Sequence, residues 1–171
     1  GTNSIISAEA EKQSRLRFFP FARRGMIHVI NDLITASTGE ILVFSDANSV
    51  LDRDALARLV EPFGDSWVGC VSGLLRLRKQ GTHLGAEGES FYWKYETFKK
   101  RQENVFGAVA GANGGIYAVR RLLVEALSDK TINDDLTISM RVFLRGFKLT
   151  LAETAIAYEY TSANVEGEFQ R

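Results

Sequence analysis

A wholly apolar run, Ile41-Leu42-Val43-Phe44, passes without a break into Ser45-Asp46-Ala47-Asn48-Ser49. Four apolar residues with no polar alternation are the pattern of a strand covered on both faces, as in the centre of a parallel sheet. Such a sheet needs helices against it, and the neighbouring sequence supplies them. Before the run, Ile27, Ile30 and Ile34 mark one face of a helix that Val29 and Leu33 widen, with Gly39 placed as its C-cap. After it, Asp52 is a candidate N-cap for a helix with Leu56, Leu59, Val60 and Phe63 on one face, stopped by Gly64.

The rest of the chain continues the alternation. Helices are expected over residues 5–13, 89–104, 120–127 and 136–144, the second with an aromatic stripe and the last with Leu136, Met140, Phe143 and Leu144 on its apolar face. Strands are expected at 16–19, 67–77, 116–119, 147–151 and 155–158, and a loop at 79–88. Strands alternating with helices argue for an α/β layered fold, Rossmann-like, with a mixed, mostly parallel central sheet flanked by helices. A length of 171 residues fits a single domain, 1–171.

Composition excludes several classes. Lys plus Arg and Asp plus Glu both number 21, so no broad basic face for nucleic acid is indicated. Cys70 is the one cysteine and lies in an apolar stretch, which makes it a small buried hydrophobe and rules out an internal disulfide. No His/Cys cluster has metal-ligand spacing, and no apolar run approaches the ~18 residues of a membrane span.

Two acidic signals carry chemistry. Asp46 ends an apolar strand, where open α/β sheets bind ligands. Against a nucleotide diphosphate a bare carboxylate is repulsive, and a divalent cation between them reverses that sign. Asn48 adds a neutral amide oxygen. The alternative is that Asp46 and Asn48 only shape a turn. Asn133-Asp134-Asp135 opens a helix, where acids cap the end and complement its dipole. The alternative is a general base that takes a proton from an acceptor hydroxyl. Gly111-Ala112-Asn113-Gly114-Gly115 reads either as a hairpin turn or as backbone that a ligand approaches closely.

Taken in order, these segments resemble the family-2 glycosyltransferases, which have the GT-A nucleotide-sugar-binding fold. The segment from Gly39 to Ser49 is similar to the family's strand plus D-x-D. Val71-Ser72-Gly73 is similar to the following strand, and Gly111 to Arg121 to the acceptor-side loop and strand. Ile132 to Arg141 is similar to the E-D-x-x-L-x-x-R segment, with Arg145 to Leu149 and Ala155 to Glu159 as its continuation.

The resemblance implies a partial GT-A-like fold and a role for each matching residue. Asp46 contacts the sugar-nucleotide and, with Asn48, its divalent cation, Mg or Mn. Asp135 is the catalytic base and Asp134 the acid before it. Gly111, Ala112, Asn113 and Gly114 form the acceptor-side loop. The implied donor is a nucleotide-sugar, UDP-linked, the acceptor a glycan or lipid, and the reaction inverting.

Three departures qualify this. Asn48 replaces the second acid of D-x-D, and Gly25-Met26 stands where Gly-Lys is usual, removing a donor-side cation. Members also begin with strands carrying N-E and D-G-S-x-D and often continue to a Q-x-x-R-W-like segment and membrane helices. The chain is therefore expected to be a truncated catalytic domain, inactive alone, from a cytoplasmic protein at a membrane face. Membrane association would reside in the missing segments, and a homodimer would cover the exposed sheet edge. Two alternatives stand beside the enzyme: a non-catalytic binding or assembly module, and a phosphatase with Asp46 as nucleophile.

Overall fold

The computed structural model describes residues 1–79 and 111–161. Helices α1 (Thr2–Lys12) and α2 (Met26–Ala36) precede strands β1 (Ile41–Phe44) and β2 (Ser49–Leu51). Helix α3 (Ala55–Val60) runs into a 3-10 turn (Glu61–Gly64) and strand β3 (Val68–Lys79). Strand β4 (Tyr117–Arg120) is followed by a 3-10 turn (Arg121–Leu123), helix α4 (Asp134–Leu144) and strand β5 (Lys148–Thr161). The expected loop at 79–88 and helix at 89–104 lie, but for Lys79, outside the described residues.

The strands form one mixed sheet in the order β1-β4-β3-β5-β2. It is mixed, as expected, but not mostly parallel. Among the described strands only β3 and β5 run parallel, while β1 with β4, β4 with β3, and β5 with β2 are antiparallel. β1 is at an edge of these strands and pairs with β4, Leu42 opposite Val119. Its central, parallel placement is therefore corrected. Val43 is 39% exposed, on the face of this edge strand opposite Leu42 and Phe44.

The sheet separates two apolar clusters, and residue alternation along its strands sorts them. Tyr117 and Val119 of β4 join Leu42, Cys70, Leu149 and Leu151 under α4. Ala118 of β4 joins Val71, Leu75, Ala155 and Ala157 under α3. Cys70 is buried as expected, and burial pushes its thiol up to about 12. Phase shifts between Val68 and Cys70 and between Ser72 and Leu74 are where β3 and β5 re-register. One long β5 thus replaces the two strands expected at 147–151 and 155–158.

Other elements also differ from expectation. Residues 16–19 form no strand. The helix expected at 120–127 is a single 3-10 turn. Ser37, not Gly39, caps α2, and Asp54, not Asp52, precedes α3; the Asp52 side chain accepts from the Arg53 amide instead. No residue of α2 is fully buried. Ile27, Ile30 and Ile34 pack on the core, while Met26 and Leu33 stay exposed.

The phase of α4 is the consequential correction. Its buried residues are Ile138, Ser139 and Val142, and Leu144 is 81% exposed. Gly146 ends the helix at φ 84°, a left-handed conformation that suits glycine, and its amide donates to the Phe143 carbonyl at 2.8 Å. Val142 fits against β3 only because position 69 is glycine. A Cβ there would lie 2.6 Å from Val142 Cγ1, 2.7 Å from Phe147 Cβ and 2.8 Å from Leu123 Cδ1. We expect Gly69→Ala to destabilise the fold by about 1–3 kcal/mol through overpacking, measured as a lower midpoint in urea unfolding. Among the described residues no helix is long and apolar enough to cross a membrane.

Candidate active site

The buried stripe of α4 determines where its first turn points. Asp135 precedes Ile138, Ser139 and Val142 by three, four and seven residues, which places it on the same face, above the end of the sheet. Capping is performed by Asn133, whose side chain accepts from the Leu136 amide at 3.1 Å. Asp135 Oδ1 also accepts from that amide, at 2.6 Å. Asn133 thus takes most of the cap, and the half-buried Asp134 and Asp135 line a cleft.

That cleft has a volume of about 940 Å³ and lies between α2, β1 and the start of α4. The end of β1 contributes Phe44, Ser45 and Asp46, the start of α4 contributes Asn133, Asp134 and Asp135, and Gly114 and Tyr117 lie among them. Met26 lines it too, and so does Arg17, the one lysine or arginine to do so among the described residues. Gly25-Met26 lacks the donor-side cation usual at that point of the family's sequence. Arg17 places a guanidinium in the same cleft, and no motif marked it.

Gly114 brings the two acidic signals together. A Cβ at this position would lie 2.8 Å from Asp135 Oδ2 and 3.9 Å from Asp46 Oδ2. The two carboxylate oxygens are therefore no further apart than those distances combined. In Gly111 to Gly115, the backbone at Gly114 approaches the Asp135 and Asp46 carboxylates closely. Asn113 closes a local turn by accepting from the Gly115 amide at 3.1 Å, and no two-residue hairpin forms.

Two buried serines hold this loop, and the sequence reading missed both. Ser139 Oγ accepts from the Ala112 amide at 3.1 Å and donates to the Asp135 carbonyl at 2.7 Å. Ser72 Oγ accepts from the Asn113 amide at 3.1 Å. Ser45 Oγ donates to the Gly115 carbonyl at 3.2 Å, tying the end of β1 to the same loop. Ser139 therefore fixes the loop and the turn that bears Asp135 to each other. A small polar residue inside an apolar helical stripe is the signal that marks it.

Asn48 is placed differently. Its side-chain amide donates to Glu159 of β5, and it does not line the cleft. Arg120 and Arg121 of the matched strand serve the fold. Arg120 donates to the carbonyls of Val68 and Phe63, each at 2.8 Å, and Arg121 Nε to that of Gly39 at 2.9 Å.

Because the Gly114 contact to Asp135 is so short, a methyl group there displaces the carboxylate. Gly114 does not have positive φ, so the backbone accepts alanine. We expect Gly114→Ala to push the Asp135 carboxylate aside by about 1 Å, the scale of misplacement that a reacting group does not tolerate, seen in a crystal structure of the variant, with thermal unfolding nearly unchanged.

Comparisons with known proteins bear on the family and the fold. A family model described as glycosyltransferase like family 2 matches residues 2–171. A beta-monoglucosyldiacylglycerol synthase from Synechocystis is 23% identical over 164 residues, covering 88% of this chain and 34% of that protein. A poly-beta-1,6-N-acetyl-D-glucosamine synthase from Staphylococcus aureus is 24% identical over 139 residues, covering 79% of this chain and 34% of that protein. The chain thus spans about a third of the length of these relatives.

Among solved structures, the mannosyltransferase PcManGT from Pyrobaculum calidifontis, in complex with GDP-Man and Mn2+, superposes with a TM-score of 0.79. Its identity is 23%, with 99% of this chain and 47% of that one covered. GalNAc-T7 with UDP, GalNAc and Mn2+ superposes with a TM-score of 0.66 at 16% identity, covering 94% of this chain and 35% of that one. These likenesses establish the GT-A glycosyltransferase fold. With the family model matched over nearly its whole length, the chain belongs to the family-2 glycosyltransferases.

Proposed function

We propose that the protein transfers a sugar from a nucleotide-sugar, UDP-linked, to a hydroxyl of a glycan or lipid acceptor, with inversion. The observation that carries this reading is the convergence of Asp46 and Asp135 on Gly114 in one cleft. Family membership and relatives named as synthases of a glucolipid and a polysaccharide support it.

In this reading Asp135 accepts the proton of the acceptor hydroxyl. The acceptor oxygen bonds to the anomeric carbon as the bond from that carbon to the diphosphate oxygen breaks. The pair of electrons leaves with the nucleoside diphosphate, and displacement from the opposite face inverts the centre. Arg17, at the same cleft, offers charge to the departing diphosphate.

The residues present fit a divalent cation carried in with the nucleotide. Asp46 is an exposed carboxylate at the cleft, a hard oxygen donor. Among the described residues no group of three or more His, Cys, Asp or Glu forms a cage. One or two carboxylates plus substrate phosphates are the usual set for Mg or Mn with a nucleotide. Asp46 would hold the ion together with the substrate's own phosphates, and when bound it would neutralise the diphosphate; Asn48, expected as a second donor, is turned toward Glu159 and does not line the cleft. A phosphatase would need a second acid beside its nucleophile. Asn48 is neutral and turned toward Glu159, which favours the transferase.

Titration calorimetry with UDP and Mn2+ tests the donor reading. Saturable heat that needs both components is the expected result; no heat with UDP or GDP in the presence of Mn2+ would contradict it.

A further inference from the structure

Two helices that wall the cleft meet on one stretch of backbone. From α2, the half-buried Asn31 donates through Nδ2 to the Leu127 carbonyl at 2.9 Å and accepts at Oδ1 from the Leu127 amide at 2.8 Å. From α4, Arg141 donates to the carbonyl of Ala126 at 3.1 Å. Leu127 itself is buried in the apolar cluster under α4. The chain then runs on to Asn133, Asp134 and Asp135. The backbone at 126–127 is thus held from the acid-bearing side, and Asn31 fastens α2 to it.

Helix α2 needs such a fastening. None of its residues is fully buried; Ile27, Ile30 and Ile34 pack on the core, while Met26 and Leu33 stay exposed. Apolar contact is non-directional and leaves a helix free to slide or turn. A donor and an acceptor paired with one residue's amide and carbonyl fix both its height and its rotation. A second polar link, His28 to Asp129 at 3.6 Å, joins two exposed groups and holds little.

Arg17 is carried by the same helix. Its Nη1 donates to the Ala36 carbonyl, at the C-terminal end of α2, at 3.3 Å, where helix carbonyls lack partners of their own. Its side chain lines the cleft. Asn31 does not line it, yet stands between the guanidinium on one wall and the carboxylates on the other.

We propose that Asn31 is a positioning residue that holds α2, and with it the Arg17 guanidinium, in register with the carboxylates at the start of α4. This rests on the transferase reading above, in which Arg17 faces the diphosphate. Asn31 touches no substrate and acts only through the helix it pins.

The test is a double-mutant cycle read by calorimetry with UDP in the presence of Mn2+. Asn31→Leu keeps the bulk of the side chain and loses both hydrogen bonds. It is expected to bind UDP about tenfold more weakly, within the range of coupled contacts. In an Arg17→Ala background the same substitution should cost less than about twofold, because the group it positions is gone. Asn31→Asp keeps the bond from the Leu127 amide and loses the one to its carbonyl. It is expected to fall between, and it carries the same cycle if Asn31→Leu does not fold.

Equal losses with and without Arg17 overturn the proposal, since a purely structural role weakens both backgrounds alike. UDP affinity equal to wild type in folded Asn31→Leu overturns it, and so does an Arg17→Ala that binds UDP as tightly as wild type. In these cases the wild type still binds UDP with Mn2+, and the transferase reading stands. A wild type that binds no UDP with Mn2+ removes that reading, and this proposal with it.

Discussion

Asp135→Asn is expected to lower transfer by about 100- to 10,000-fold, the range that a positioned general base contributes, while leaving the affinity for UDP and Mn2+ unchanged. Asparagine keeps the shape of the side chain and loses the proton acceptor. The cap survives, because Asn133 accepts from the Leu136 amide independently of Asp135. The loss therefore falls on kcat and not on folding. It is measured as turnover of the whole protein with a nucleotide-sugar donor, alongside calorimetry of the same preparation. A variant that turns over like the wild type would leave Asp135 as a helix-end acid only.

The second large effect belongs to Asp46. Asp46→Ala is expected to weaken Mn2+-dependent UDP binding by about 10- to 100-fold, the scale of 1.5–3 kcal/mol for contacts to a charged group. The change should be far smaller when UDP is titrated without the metal. Asp46 is exposed at a strand end and packs in neither apolar cluster, so thermal unfolding should barely move. Equal UDP affinity of Asp46→Ala and wild type in Mn2+ would reassign Asp46 to the turn whose carbonyl accepts from Ser49. Together the two variants separate the cleft into a half that holds the donor and a half that moves a proton.

How far the sequence reached is clearest on β1 and α4. The bounds of β1 follow from its apolar run, and Asp46 sits at its end as the motif required. Its position in the sheet did not follow. Four apolar residues look alike in a central and an edge strand; here Val43 is exposed on an edge strand, and the cleft opens on the opposite face, where Phe44 and Tyr117 line it. The same cleft explains why α2, apolar on more than one face, buries no residue completely. A site made of hydrophobic walls reads in sequence as core.

On α4 the spacing of Leu136, Met140, Phe143 and Leu144 offered a stripe of bulky residues, whereas the packed one is Ile138, Ser139 and Val142. Hydropathy discarded Ser139 because it is polar. Its hydroxyl is satisfied by the Asp135 carbonyl and the Ala112 amide, so burial costs little. Once that phase is corrected, the direction of Asp135 follows. The acids, the glycine loop and their order were legible as motifs. Ser72 and Ser139 were not, since each holds the loop through a tertiary neighbour that no local pattern encodes, and no motif marks Arg17 at the cleft.

The central claim is that Asp46 and Asp135 serve one reacting carbon across Gly114. A crystal structure of the protein with Mn2+ and UDP-glucose tests it most directly. The diphosphate is expected on the Asp46 side and the anomeric carbon over Gly114, with the Asp135 carboxylate facing the side opposite the departing oxygen. A nucleotide bound outside this cleft, or an anomeric carbon that Asp135 does not face, would contradict it.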